Sequence, residues 1–174
     1  VLRSKPSFWH MAIAAAITSF VGYGVGGYLN SFLIRVHGLS LLQASQFNGV
    51  ILGVAAAIGT FLSGFLADRI SKRHPNALAW LPALGLLIAT PLYLLGYYSP
   101  TLGVVMAPLI IAACVHYFYL GPMYTVTSSV VEPRMRATAI AILLFIVNII
   151  GYALGPPFVG ALSDFLANQQ LAAS

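Results

Sequence analysis

The sequence has eight Lys and Arg residues against three Asp and Glu, and four of these eleven charges sit in one stretch, GFLADRISKR. Asp68, Arg69, Lys72 and Arg73 together can pair charges, or set a carboxylate against the positive N-terminal end of a helix. A second cluster, Glu132-Pro133-Arg134-Met135-Arg136, offers the same chemistry. The other chemically usable residues are uncharged and lie inside apolar runs: Ser19, Tyr23, Asn30, Tyr117, Tyr119 and Asn148, joined by His116. Hydroxyls and carboxamides donate and accept hydrogen bonds, and imidazole can change charge near neutral pH. A lone histidine of this kind also serves as a hydrogen-bonded structural residue. Catalytic constellations are missing from the sequence: no phosphate-binding Walker loop, no H-E-x-x-H and no clustered Cys/His ligand set. Ser128 and Ser129 lack a Gly-x-Ser-x-Gly context. The sequence therefore predicts no enzyme, no cofactor and no metal site.

The elements that hold these residues follow from composition. Of 174 residues, 60% are hydrophobic and 6% are charged, and the mean hydropathy is +0.93. Soluble domains carry about 25% charged residues, so this chain has too little polar surface to cover itself in water. Lipid must be its main solvent. The net charge of +5 comes in short clusters between apolar runs. That is a membrane-topology pattern, which argues against a nucleic-acid stripe. Cys114 is the single cysteine, lies in an apolar run and is read as packing. The chain begins at Val1 with no signal-peptide pattern, and it is expected to be a piece of a longer protein.

A crossing needs roughly 20 apolar residues. This predicts five spans, over about 8–34, 46–66, 77–97, 102–127 and 137–162. Breakers separate them, among them His37-Gly38, His74-Pro75, Ser99-Pro100 and Glu132-Pro133. With an odd number of spans the two ends lie on opposite sides. Arg3, Lys5, Arg69, Lys72, Arg73, Arg134 and Arg136 then share one face, and Arg35 stands alone on the other. The positive-inside rule makes the basic face cytoplasmic.

Pro82, Pro91, Pro108, Pro122, Pro156 and Pro157 lie within spans, where each frees a backbone carbonyl and permits a kink. Small residues recur every fourth position at Gly22/Gly26, Gly49/Gly53/Ala57, Gly59/Ser63 and Gly151/Gly155. This spacing lets helix backbones approach closely, whether the bundle moves or is static. Counted inward at about 1.5 Å per residue, the midpoints of spans one, four and five fall near Gly22, Val115 and Ile149. Tyr23, His116, Tyr117 and Asn148 lie beside them, with Ser19, Asn30 and Tyr119 one or two turns away. The middles of spans two and three are almost wholly apolar. No Asp, Glu, Lys or Arg lies at membrane depth, where such groups mark ion pathways.

Three segments together resemble one family. Gly64-x-x-x-Asp68-Arg69-x-Ser71-Lys72-Arg73 is similar to the signature loop of the major facilitator superfamily, with Ser71 where that family usually has glycine. Glu132-Pro133-Arg134-Met135-Arg136-Ala137 resembles the segment that opens the fifth helix of a half. Gly151-x-x-x-Gly155-Pro156-x-x-x-Gly160, followed by Ser163-Asp164, resembles the glycine-proline motif at that helix's outer end. SFVGYGVGGYLNSFLIRVHGLS, YLGPMYTV and the run from Pro133 to Asp164 look like bacterial Spinster-like members.

The resemblance implies an all-α membrane protein, five helices of a six-helix half bundle. They would be helices seven to eleven of twelve, with the twelfth missing and the N-terminal half as partner. It also implies a secondary transporter in a bacterial inner membrane, alternating between inward- and outward-open states. Asp68, Arg69, Lys72, Arg73, Arg134 and Arg136 would gate the cytoplasmic side, or bind anionic headgroups. Gly151, Gly155 and Pro156 would serve the conformational change. Ser19, Tyr23, Asn30, His116, Tyr117, Tyr119 and Asn148 become candidates for the substrate cavity, because helices one, four and five of a half reach it while the third lies outside. Tyrosines in these places also pack between helices. The implied solute is small and amphipathic, such as a lysophospholipid or sphingoid-like lipid, with proton coupling as a further implication. An organic acid or sugar acid is the alternative within the superfamily. A packing or receptor subunit is the alternative outside transport.

Overall fold

The structure, a computed structural model, describes residues 5–74 and 76–173, with side chains placed as far as residue 169. Arg3 and Pro75, used above as a topology charge and a breaker, lie outside the described residues. Among the described residues, five apolar helices are long enough to cross a membrane: α1 (Pro6–His37), α2 (Leu41–Ser71), α3 (Ala77–Tyr98), α4 (Leu102–Ser129) and α5 (Pro133–Gln169). They match the expected spans in number and order and exceed each of them in length. Hydropathy marks the lipid-immersed part of a helix, whereas local hydrogen bonding sets where the helix itself stops.

The α1–α2 turn shows this. Gly38, at φ 65°, is the only described residue with positive φ, and its N–H caps the Ile34 carbonyl of α1. The Gly38 bond is that of an αL cap, and Leu39 N–H also reaches Leu33 O. Two residues later Ser40 starts α2 through a capping box. Gln43 N–H donates to Ser40 Oγ at 3.3 Å, and Ser40 N–H donates to Gln43 Oε1 at 3.1 Å. At the other end of α2, Ser71 is still helical and Lys72 follows at φ −60°. This explains why serine can stand where the family usually has glycine, since no left-handed residue is needed there.

Two pairs of helices run parallel in close contact. A Cβ on Gly155 of α5 would lie 2.6 Å from Phe20 O and 3.1 Å from Gly24 N of α1. Contacts from Ser19 with Gly151 to Tyr28 with Gly160 advance in step along both chains. On α2 the Gly59 position abuts the Cys114 carbonyl of α4, and Gly121 of α4 meets Ser63 and Gly64. The Gly121 N–H donates to Ser63 Oγ at 3.1 Å. Gly49 and Gly53, part of the same small-residue pattern, meet nothing within 4 Å and lie on an open face. α3 packs antiparallel to α4, with Gly85 against Val115 and Gly96 against Leu109.

One apolar cluster gathers Leu29, Leu33, Ile51, Val105 and Leu109 towards the end where α1 finishes. Another gathers Phe8, Ala12, Met123 and Leu143 towards the opposite end. Outside them Phe61, Leu87 and Phe145 stand 74%, 69% and 66% exposed, in keeping with helices that face lipid. Three helices also leave α geometry partway along. α2 is a π-helix over Val50–Ala55 and α5 over Ile149–Ala153, while α4 tightens to a 3₁₀ turn over Tyr117–Tyr119.

Candidate functional site

The parallel pairing brings the charged residues together at one end of the bundle. Asp68, Arg69, Lys72 and Arg73, with His74, line an open depression of about 710 Å³ where α2 ends. Arg134 and Arg136 stand exposed at the α4–α5 turn, which the parallel course of α2 and α4 places at the same end. Arg136 Nε donates to Ser128 O at 3.1 Å, tying that turn to the last turn of α4. Lys5, at the start of α1, belongs to this end because α1 runs parallel to α5. Arg35 lies at the other end.

Halfway along, α1, α2, α4 and α5 frame a cleft of about 550 Å³ open on one side. Tyr23, Asn48, Tyr117 and Tyr152 supply its polar surface. The rings of Tyr23 and Tyr152 meet edge to face at 5.5 Å, a favoured aromatic geometry. Behind the Gly22–Gly26 segment of α1 lies a second chamber of about 280 Å³. Val25, Leu29, Ile51 and Leu109 line it with Tyr93, Tyr97 and His116. Gly22, Gly26 and Leu52 border both spaces.

The sequence candidates thus separate into groups. Tyr23 and Tyr117 line the cleft. His116 is 5% exposed and faces the chamber, where a Cβ on Gly22 would lie 2.9 Å from its Nε2. The rings of Tyr93, Tyr117 and Tyr119 surround it at 5.7–6.1 Å. Ser19 and Tyr119 spend their hydroxyls on each other, at 2.9 Å in a buried bond between α1 and α4. Asn148 is exposed, and its Nδ2 donates to Leu144 O of its own helix at 2.8 Å. The midplane amide thus meets its need for a partner locally. Asn30 keeps a buried Oδ1 with no partner. Gly151 and Gly155 are buried against α1, and Pro156 borders the cleft.

The structure adds residues to the site. α3 stays clear of the open cleft and lends Thr90, Tyr93 and Tyr97 to the inner chamber. Asn48 and Tyr152 were missed because counting to the span midpoints passed over them. Asn48 stands near the edge of the predicted second span, and Tyr152 follows Gly151 inside a motif read only for its glycines.

The Ser19–Tyr119 bond gives a direct test of a structural role. Ser19→Ala is expected to destabilise the bundle by about 0.6–1.7 kcal/mol, the range for hydrogen bonds between membrane helices. The double variant Ser19→Ala/Tyr119→Phe should regain part of that loss, because removing both partners leaves no unsatisfied hydroxyl. Thermal unfolding of the parent and the two variants in one detergent measures both effects.

Comparison with known proteins agrees with this architecture. Residues 1–156 match the model of the Major Facilitator Superfamily. The chain is 31% identical over 167 residues to an MFS-type efflux pump of Mycolicibacterium smegmatis, covering 96% of this chain and 39% of the pump. It is 27% identical over 132 residues to protein spinster homolog 3 of Danio rerio, covering 71% of this chain and 25% of that protein. A crystal structure of a bacterial homologue of the human lysosomal transporter Spinster, inward-facing and unoccupied, superposes with a TM-score of 0.85 at 45% identity. That match covers 92% of this chain and 34% of the homologue, so the chain spans well under half the length of these relatives. With its matched family model and its bundle of five apolar helices, the chain belongs to the Major Facilitator Superfamily and is Spinster-like within it.

Proposed function

We propose that this chain is part of the C-terminal half of a secondary transporter, helices seven to eleven of twelve, and that the whole carrier moves an amphipathic organic solute by alternating access. The observation that carries this reading is the junction of an open cleft bearing tyrosine and asparagine with an apolar chamber across Gly22 and Gly26. A polar group can rest in the cleft while an aliphatic chain reaches the adjoining chamber, once the His116 and Leu52 side chains packed against these glycines move aside. A lysophospholipid or sphingoid-like lipid has this form. No Lys or Arg lines either space, which favours such a solute over an organic or sugar acid. The basic end of the bundle faces the cytoplasm of a bacterial inner membrane. Any proton coupling relies on a carboxylate outside this chain, since His116 is the only titratable imidazole at the two cavities.

The test is a homologous series of single-chain amphiphiles sharing one headgroup, offered to the full natural protein carrying this chain, in liposomes. Each methylene buried contributes about 0.8 kcal/mol, or roughly a fourfold gain in affinity. Affinity should climb by that factor until the chamber is full and then level off. Thr90→Trp should move the plateau to shorter chains. Transport that ignores chain length, or prefers short dicarboxylates, would refute the proposal. Saturable binding without any flux would favour a receptor or packing subunit.

A further inference from the structure

The open cleft carries a chemical preference of its own. Among its lining residues there is no Asp, Glu, Lys or Arg, so no ion pair selects its ligand. Three tyrosines contribute aromatic surface, with Tyr23 and Tyr152 held edge to face. The face of an aromatic ring is the negative pole of its quadrupole and attracts cations. Asn48 lines the same cleft, and its Oδ1 is buried and accepts no hydrogen bond. Asn30, one turn beyond Gly26 on α1, carries a second carboxamide oxygen in the same state. A buried acceptor without a donor is unfavourable, and a ligand bringing N–H groups would relieve it. The cleft is also open on one side, so a charged group entering it keeps part of its hydration.

The geometry points to a binding site for a primary alkylammonium group in the cleft, with Asn48 accepting from the ammonium and Tyr23, Tyr117 and Tyr152 offering ring faces. This rests on the amphipathic-solute reading and adds the identity of the polar end. A primary ammonium brings three donors and a positive charge. A trimethylammonium keeps the charge and loses the donors, and a hydroxyl keeps one donor and loses the charge. A carboxylate has neither.

Dodecylamine, dodecyltrimethylammonium, dodecanol and dodecanoate separate these contributions, because only the head changes. Saturable binding at neutral pH is measured with the full natural protein in nanodiscs, above that of lipid-only discs. Dodecylamine should bind about tenfold tighter than dodecanol, as expected for a cation over aromatic faces. Dodecyltrimethylammonium should fall between them, and dodecanoate should bind weakest. Asn48→Leu should narrow the gap between amine and alcohol. Asn48→Asp should widen it by adding an opposite charge, and Asn48→Leu tests the native amide itself. A preference for dodecanoate overturns the assignment and leaves the amphipathic-solute reading intact. So does an amine preference that neither Asn48 variant moves. No saturable binding by any of the four overturns both.

Discussion

Gly59→Leu is expected to abolish folded protein, and Gly59→Ala to lower the unfolding temperature markedly. Any Cβ at this position runs into the Cys114 carbonyl, with the Cys114 carbonyl carbon at 2.8 Å and its Cα at 3.1 Å. The obstacle is backbone, so no rotamer change relieves it, and α2 must move away from α4. Adding a methyl group to a packed interior costs about 1–3 kcal/mol, and an unyielding neighbour places alanine at the upper end. For a chain of this size about 3 kcal/mol corresponds to roughly 6–12 °C. Separating the helices would also break the Gly121 N–H bond to Ser63 Oγ. Gly49→Ala is the matched control on the same helix, because nothing lies within 4 Å of that position. It should leave the unfolding temperature close to that of the parent. Size-exclusion profiles and thermal unfolding in one detergent decide the matter. A monodisperse Gly59→Leu protein would show that the α2–α4 contact is dispensable.

Asp68→Asn should slow turnover about 5–30-fold in the full natural protein while changing substrate affinity far less. Asp68 is exposed at the end of α2, beside Arg69, Lys72 and Arg73 around the same depression. If the closed gate leaves Asp68 partly buried against a helix N-terminus or a cation, its charge contributes about 1–2 kcal/mol, which corresponds to that range in rate. Asparagine keeps the shape and the acceptor oxygen but loses the charge. If Asp68 steadies one state of the cytoplasmic gate, the loss shows in the rate of interconversion. The cleft and chamber lie well away along the bundle, so binding is largely spared. Turnover equal to the parent's would remove Asp68 from the gate, and a parallel loss of affinity would give it a role in binding.

Much of this architecture was readable from residue types alone. Low charge and long apolar runs gave five helices in the right places, and the clusters at 68–73 and 134–136 marked one end of the bundle. The helix-to-helix register was partly legible, since Gly59/Ser63 and Gly151/Gly155 do mediate close packing. Gly49 and Gly53 share that spacing without contacting anything, because spacing records a permission and the neighbour decides its use. The site was read less well. Depth along a helix can be counted, but the direction of a side chain cannot, so Ser19 and Tyr119 entered as solute contacts although they bond to each other. Tyr93 and Tyr97 were passed over because α3 looked apolar at its centre. They reach the chamber from beyond that centre, where long side chains extend past their own backbone.

The wide turns in α2 and α5 have a consequence for how those helices are wrapped. A π segment accommodates about one extra residue, which rotates everything downstream by about 100° around the axis. Each helix therefore has two phases. Asn48 precedes the shift in α2 and borders the cleft, while Gly59 and Ser63 follow it and lock onto α4. A single straight rod would have to present both duties along one unbroken stripe. Splitting the phase lets one continuous helix border the cleft over one part of its length and hold the scaffold over the other.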